Sequence, residues 1–231
     1  MSTLSDAQHF RRMLAGTCMI MAPLVLLASA IVAPSMSSTK EGPTLQAIAD
    51  HQGRFYLSTA LLIVGLVLLV PAVLGLMHIL RERRVALAHV GGGLTMVGVL
   101  TFMLFGGVSL VEWQMVRGGA DRGQMVSLLH RFDHTAGTQV FLYFSLAFTI
   151  GLILLAGGLY WSRLVHWGPA ALLAVGAVVL QVGIISNRSW LFIVATALLL
   201  VGFATIGWMI LAESDEAWEH PPEAHGLLGA H

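Results

Sequence analysis

Charged side chains are scarce in this sequence of 231 residues. Asp, Glu, Lys and Arg together make up 10% of the chain and apolar residues make up 57%, whereas an ordinary soluble domain is about a quarter charged. Mean hydropathy is +0.82. This composition excludes a soluble enzyme and makes the lipid bilayer the expected surroundings of the chain.

Cysteine is almost absent, and neither sign of charge is in excess. The single Cys18 excludes an intramolecular disulfide. Formal charge balances at zero, which excludes nucleic-acid binding and argues against a polybasic surface for lipid headgroups. The absence of ionisable residues from the middle of the apolar runs also disfavours ion-coupled transport.

Six long runs in the sequence contain no Asp, Glu, Lys or Arg. Each is long enough to cross a bilayer, which takes about 20 apolar residues, and a central charge would cost about 2.5–3.5 kcal/mol. The fold class we predict is all-α: a membrane bundle of six transmembrane helices in one domain over residues 1–212, followed by a disordered tail over 213–231. The predicted spans cover residues 13–33, 55–80, 86–111, 138–161, 165–185 and 190–212.

The distribution of arginine predicts that both termini are cytoplasmic. Arg11 and Arg12 precede the first span, and other arginines crowd into the tight turns near residues 81–85 and 162–164. The first run is too long for the apolar part of a signal peptide, so we interpret it as a retained span. The two long loops then lie outside the membrane.

Each of these outer loops carries the pattern of a short amphipathic helix. In the first, Leu45, Ile48 and Ala49 share a face, and Gly53 is the expected C-terminal stop. In the second, apolar side chains recur at helical spacing at Met125, Leu128, Leu129 and Phe132. We expect both helices to lie along the membrane surface over the bundle.

The second outer helix also carries a candidate metal site. His130 and His134 are four residues apart, a spacing at which two imidazoles can bind one ion, and Asp133 lies on the same face. Glu112 and His51 are expected to approach this region. These five residues would suit a divalent metal such as zinc, although a solvated polar face has the same composition.

Two histidines near the cytoplasmic side of the predicted bundle suggest haem binding as an alternative. His78 and His89 flank the arginine-rich turn at similar depth, and axial histidines from two membrane helices can hold haem. This layout is superficially similar to cytochromes of the b561 type, but matched histidine pairs on facing spans at both levels are not visible.

Small residues recur along several spans, among them Gly91, Thr95 and Gly98. Such residues allow helix backbones to approach closely in lipid. They predict a tightly packed bundle. Oligomer formation through one face of small residues is an alternative use of the same pattern.

The segment Pro-Thr-x6-His-x-Gly-Arg-Phe over residues 43–55, the Leu-rich segment 65–76 and the triple glycine 91–93 together resemble uncharacterised actinobacterial six-pass integral membrane proteins. The resemblance implies a bacterial plasma membrane and no particular activity. No motif predicts a reaction, so we favour a non-enzymatic protein that binds a lipid-like ligand or a membrane partner. The alternatives are a metal-dependent membrane enzyme and a haem-bearing electron carrier.

Overall fold

A computed structural model of the chain describes residues 2–34, 41–117 and 121–213. Throughout these ranges the regular structure is α-helical. Apart from Glu213, the predicted tail lies outside the described residues. The helices are α1 (Ser2–Val32), α2 (Glu41–Asp50), α3 (Gln52–Leu80), α4 (Val85–Met115), α5 (Arg122–Asp133), α6 (Ala136–Trp161), α7 (Trp167–Ser186) and α8 (Ser189–Ala212).

Six of these helices, α1, α3, α4, α6, α7 and α8, are long and apolar enough to cross a membrane. This confirms the predicted six-span bundle. The helix ends depart most from the predicted spans at α1 and α4. Helix α1 begins at Ser2 and includes Arg11 and Arg12, and α4 continues to Met115 and includes Glu112. A charge-free run marks only the part of a helix that suits hydrocarbon, because backbone hydrogen bonding can continue into the headgroup region.

The six spans form a ring in chain order. Each packs against the spans before and after it, and α8 closes the ring against α1. Because the spans alternate in direction, α2 and α5 lie at one end, which we name the cap end. The opposite end, which we name the turn end, carries the short connections at residues 81–84 and 162–166.

The contact between α4 and α6 is built on small residues, as predicted. A Cβ atom added at Gly98 would lie 2.3 Å from the Cβ of Phe148, and one added at Gly151 would lie 2.4 Å from the backbone nitrogen of Thr95. Neither position has room for a side chain. The two backbones therefore approach closely enough for dispersion contacts to hold the pair without a hydrophobic driving force.

Hydroxyl groups cross-link other spans. Ser29 on α1 donates to the carbonyl of Ser58 on α3 at 2.8 Å, and Ser58 donates back to the carbonyl of Ser29 at 3.0 Å. Between α6 and α7, Gln181 shares longer hydrogen bonds of 3.3–3.4 Å with Ser145 and Thr149. These groups are buried, so their polar atoms are satisfied within the bundle.

The outside of the ring is apolar, and aromatic residues mark its two ends. Tyr143 and Trp161 on α6 are exposed and 18 positions apart (143 to 161), as are Trp190 and Trp208 on α8 (190 to 208). At 1.5 Å per residue each pair spans about 27 Å, close to the roughly 30 Å thickness of a hydrocarbon core. Tyr and Trp at this separation are typical of the two membrane–water interfaces.

Candidate binding surface at the cap end

The helices α2 and α5 pack over the cap ends of α3 and α4 around a small apolar core of their own. Leu45 and Ile48 from α2, Phe55 from α3 and Leu129 from α5 are buried together. This group, which we name the cap cluster, is separate from the main core between the spans. Its partly buried members are Trp113, Met115, Val116, Met125 and Val126.

The junction between α2 and α3 differs from the prediction. α2 ends at Asp50 and α3 begins at Gln52, so Gly53 lies in the first turn of a span and does not stop a helix. The break falls at His51, whose backbone angles of φ −130° and ψ 37° leave the helical region. This single-residue connection holds α2 directly at the end of α3.

The buried face of α5 also differs from the predicted stripe. Leu129 is 3% exposed and Met125 is partly buried, as expected, but Leu128 is 42% exposed and Phe132 is 40% exposed. Val126 takes the place of these two residues in the cap cluster. The exposed parts of Leu128 and Phe132 suit contact with a membrane surface.

The structure brings His130 and His134 together on the exposed side of α5. Their ring centroids are 4.2 Å apart, and both side chains are exposed. Nδ1 of His134 lies 2.9 Å from the carbonyl oxygen of His130, so this nitrogen acts as the donor. In the neutral ring Nε2 of His134 then keeps its lone pair, as a metal ligand requires.

The other predicted metal ligands do not complete a site within the described side chains. His51 is exposed at the start of α3, and Glu112 is half-buried near the end of α4. The side chain of Asp133 lies outside the described part. Among the side chains that are described, no group of three His, Cys, Asp or Glu residues is placed to hold one ion, so a metal site with three or more ligands stays a prediction.

The two haem candidates lie at the turn end. His78 is half-buried near the end of α3, whereas His89 is exposed on α4. Nδ1 of His89 lies 2.8 Å from the carbonyl oxygen of Val85 in its own helix. A hydrogen bond of this kind orients an imidazole and leaves Nε2 for a ligand, and haem binding stays a prediction.

An aromatic and cationic group that the sequence patterns did not predict lies beside the cap cluster. The rings of Tyr56 and Trp113 have centroids 4.7 Å apart, and the guanidinium carbon of Arg117 lies 4.3 Å from the centroid of Trp113. Trp113 and Arg117 are four residues apart, with Trp113 in the last turn of α4 and Arg117 two residues beyond its end. That spacing at the end of a span was the available signal.

Comparisons with known proteins place this chain in no family. No protein-family model, no curated protein and no solved structure matches it. The resemblance to actinobacterial six-pass proteins therefore rests on the sequence motifs alone.

Proposed function

We propose that the protein is a non-catalytic binding protein of the bacterial plasma membrane that holds a lipid-like ligand at its cap end. The observation that carries this proposal is the cap cluster. Two amphipathic helices bury Leu45, Ile48 and Leu129 over the ends of two spans, while Leu128 and Phe132 stay exposed at the same level. Such a rim offers apolar contacts for acyl chains beside polar groups for a headgroup.

The exposed side chains favour a ligand from the membrane over one from water. Apolar residues cover the outside of the spans, and the hydroxyls and the Gln181 amide buried within the bundle hydrogen-bond to one another or to backbone carbonyls. The cap end adds histidine, arginine and tyrosine side chains within reach of headgroups. A protein partner within the membrane would use the same surface and is the competing outcome of the test below.

Arginine positions support an orientation with both termini in the cytoplasm. At the turn end, Arg81, Arg83, Arg84 and Arg163 lie in the short connections, directly beside the ends of spans. The rule that positive residues stay inside applies to short loops of this kind. In this orientation the cap end faces outward, so it meets the outer leaflet.

A metal-dependent enzyme is the second candidate, favoured by the pairing of His130 with His134. Both rings are exposed and close together, and two histidines leave coordination positions for water, as a catalytic zinc requires. A third ligand would have to come from Asp133 or Glu112. This reading places the reaction at the same outward surface.

Mass spectrometry of the organic extract from purified protein tests the main proposal. We expect one lipid-like species at close to one molecule per chain, enriched over its share of the host membrane. A lipid profile identical to that of the bulk membrane would contradict ligand binding. A protein that co-purifies in fixed ratio without an enriched lipid would favour the partner outcome instead.

A further inference from the structure

Two hydrogen-bond donors are held on one indole ring at the cap end. Arg117 lies over Trp113 at 4.3 Å, and the Tyr56 ring packs against the same indole at 4.7 Å. Trp113 is itself fixed because it packs against the cap cluster. The guanidinium and the phenol are exposed, so both can reach a ligand that arrives from the membrane surface.

The charge of Arg117 is available to a ligand. Within the described residues Arg117 makes no ion pair, and its guanidinium lies over the Trp113 ring. Stacking on an aromatic face orients a guanidinium while its N–H groups remain free at the edge. That planar fork matches the oxygens of a phosphate group, which it can bind with two parallel hydrogen bonds.

The depth of the group fits a lipid headgroup. Arg117 follows the C-terminal end of α4, one turn beyond Trp113, while Gly107 and Val111 further down the same helix are exposed where acyl chains would lie. Interfacial Trp and Tyr residues mark the headgroup level of a membrane. A phosphate at Arg117 would therefore have its acyl chains beside α4.

Trp113 supplies an independent observation. Its indole Nε1 is the one buried side-chain polar atom in the described part of the chain that has no hydrogen-bond partner. Buried donors are almost always satisfied, and an exception calls for an explanation such as a missing ligand or water. An oxygen atom of a headgroup bound beside Tyr56 and Arg117 would provide this acceptor once the side chains that cover Nε1 move aside.

We propose that Arg117 and Tyr56, held on the Trp113 ring, bind the phosphate of an anionic lipid headgroup. This inference rests on the proposed function and names the class of its ligand. The guanidinium pairs with the phosphate oxygens, and the Tyr56 hydroxyl donates to one of them. A single arginine fork needs no polybasic surface, so the balanced net charge of the chain is compatible with such a site.

Native mass spectrometry and thermal unfolding of the full chain in detergent test this site with three probes. The probes are phosphatidylglycerol, phosphatidylcholine and inorganic phosphate at matched concentrations. We expect phosphatidylglycerol to bind at one molecule per chain and to raise the melting temperature more than phosphatidylcholine does. Inorganic phosphate, which lacks the acyl chains, should give no shift.

Variants locate the binding on the chain. Arg117→Gln should weaken phosphatidylglycerol binding by about tenfold, the loss expected for one strong charge-assisted contact. Tyr56→Phe should weaken it less. Arg188→Gln is the matched control, because Arg188 is also an exposed arginine at the cap end but lies at the start of α8, opposite α4 in the ring, and it should bind like the wild type.

Each contrary result has a definite meaning. Equal binding of both lipids, wild-type binding by Arg117→Gln, or an equal shift with inorganic phosphate would overturn the headgroup site. Binding that survives Arg117→Gln but is lost when the cap cluster is disrupted would overturn this inference alone and leave the proposed function standing. The absence of any retained lipid would overturn both.

Discussion

Arg12 on α1 caps the end of α8. Its guanidinium donates to the carbonyl oxygen of Ile210 at 3.4 Å and to that of Leu211 at 3.2 Å, and it also contacts the carbonyl of Glu213. The last carbonyls of a helix have no partner within it, and the helix dipole makes that end negative. A buried arginine from the first span therefore closes the ring of helices at the turn end.

Replacement of Arg12 by methionine should destabilise the bundle. The apolar stem is preserved, but the carbonyls at the end of α8 lose their charged donor, which we expect to cost about 1.5–3 kcal/mol. Arg11→Met is the control, because Arg11 is exposed on the same turn. Unfolding in mixed micelles measures the difference, and equal stability of the two variants would contradict the capping role.

Glu213 beside this contact predicts a pH dependence. Burial raises the pKa of its carboxyl, while the charge of Arg12 acts in the opposite direction. The folded state therefore holds this proton to a higher pH than the unfolded chain does, and the contribution of the group to stability falls as the pH rises through its folded pKa. Glu213→Gln should melt above the wild type at pH 7 and together with it at pH 4; the reverse order at pH 7 would refute this.

The close contact of α4 with α6 predicts opposite responses to one substitution at two glycines of the same helix. Gly98→Ala forces a Cβ into Phe148 and should cost about 1–3 kcal/mol. A Cβ at Gly93 meets nothing within 4 Å, so Gly93→Ala should gain up to about 1 kcal/mol from helix propensity. Melting temperatures in detergent provide the comparison. Similar losses at both positions would show that the packing at Gly98 is not special.

The spans were predictable because the free-energy cost of burying a charge in lipid decides where they lie. A charge within hydrocarbon is so costly that charge-free runs mark the crossing segments almost to the residue, as at Leu80, Trp161 and Ala212. The helical extensions at Arg12 and Glu112 were not predictable in this way. There the helix continues into an interface that tolerates charge, so the sequence carries no penalty that would mark the end.

The cap was predictable as two helices but not in its orientation. An amphipathic stripe shows which side chains avoid water, yet at a membrane surface both the protein core and the lipid satisfy that condition. Leu129 faces the protein, whereas its neighbour Leu128 faces outward. The Tyr56–Trp113 contact could not be predicted from the sequence either, because it joins two helices whose rotation depends on packing between distant segments.

The paired histidines of α5 predict measurable zinc binding if the second candidate function is correct. Purified wild-type protein should then contain close to one zinc per chain by elemental analysis, and the double variant His130→Ala, His134→Ala should contain none. Replacement of His89, an exposed histidine at the opposite end, is the control and should leave the metal content unchanged. The protein is prepared without chelator and dialysed against zinc. Metal-free wild-type protein after this treatment would contradict the proposal of a metal-dependent enzyme.

The central claim is that the cap holds a lipid-like ligand, and two neighbouring leucines on α5 test it most directly. Leu129→Ser removes a buried side chain from the cap cluster, while Leu128→Ser makes the same change at a position that is 42% exposed. The measurement is the number of lipid molecules retained per chain by native mass spectrometry. The account predicts full retention in the wild type, partial loss in Leu128→Ser, whose side chain belongs to the exposed rim, and full loss in Leu129→Ser. It is contradicted if Leu129→Ser stays folded and retains as much lipid as the wild type.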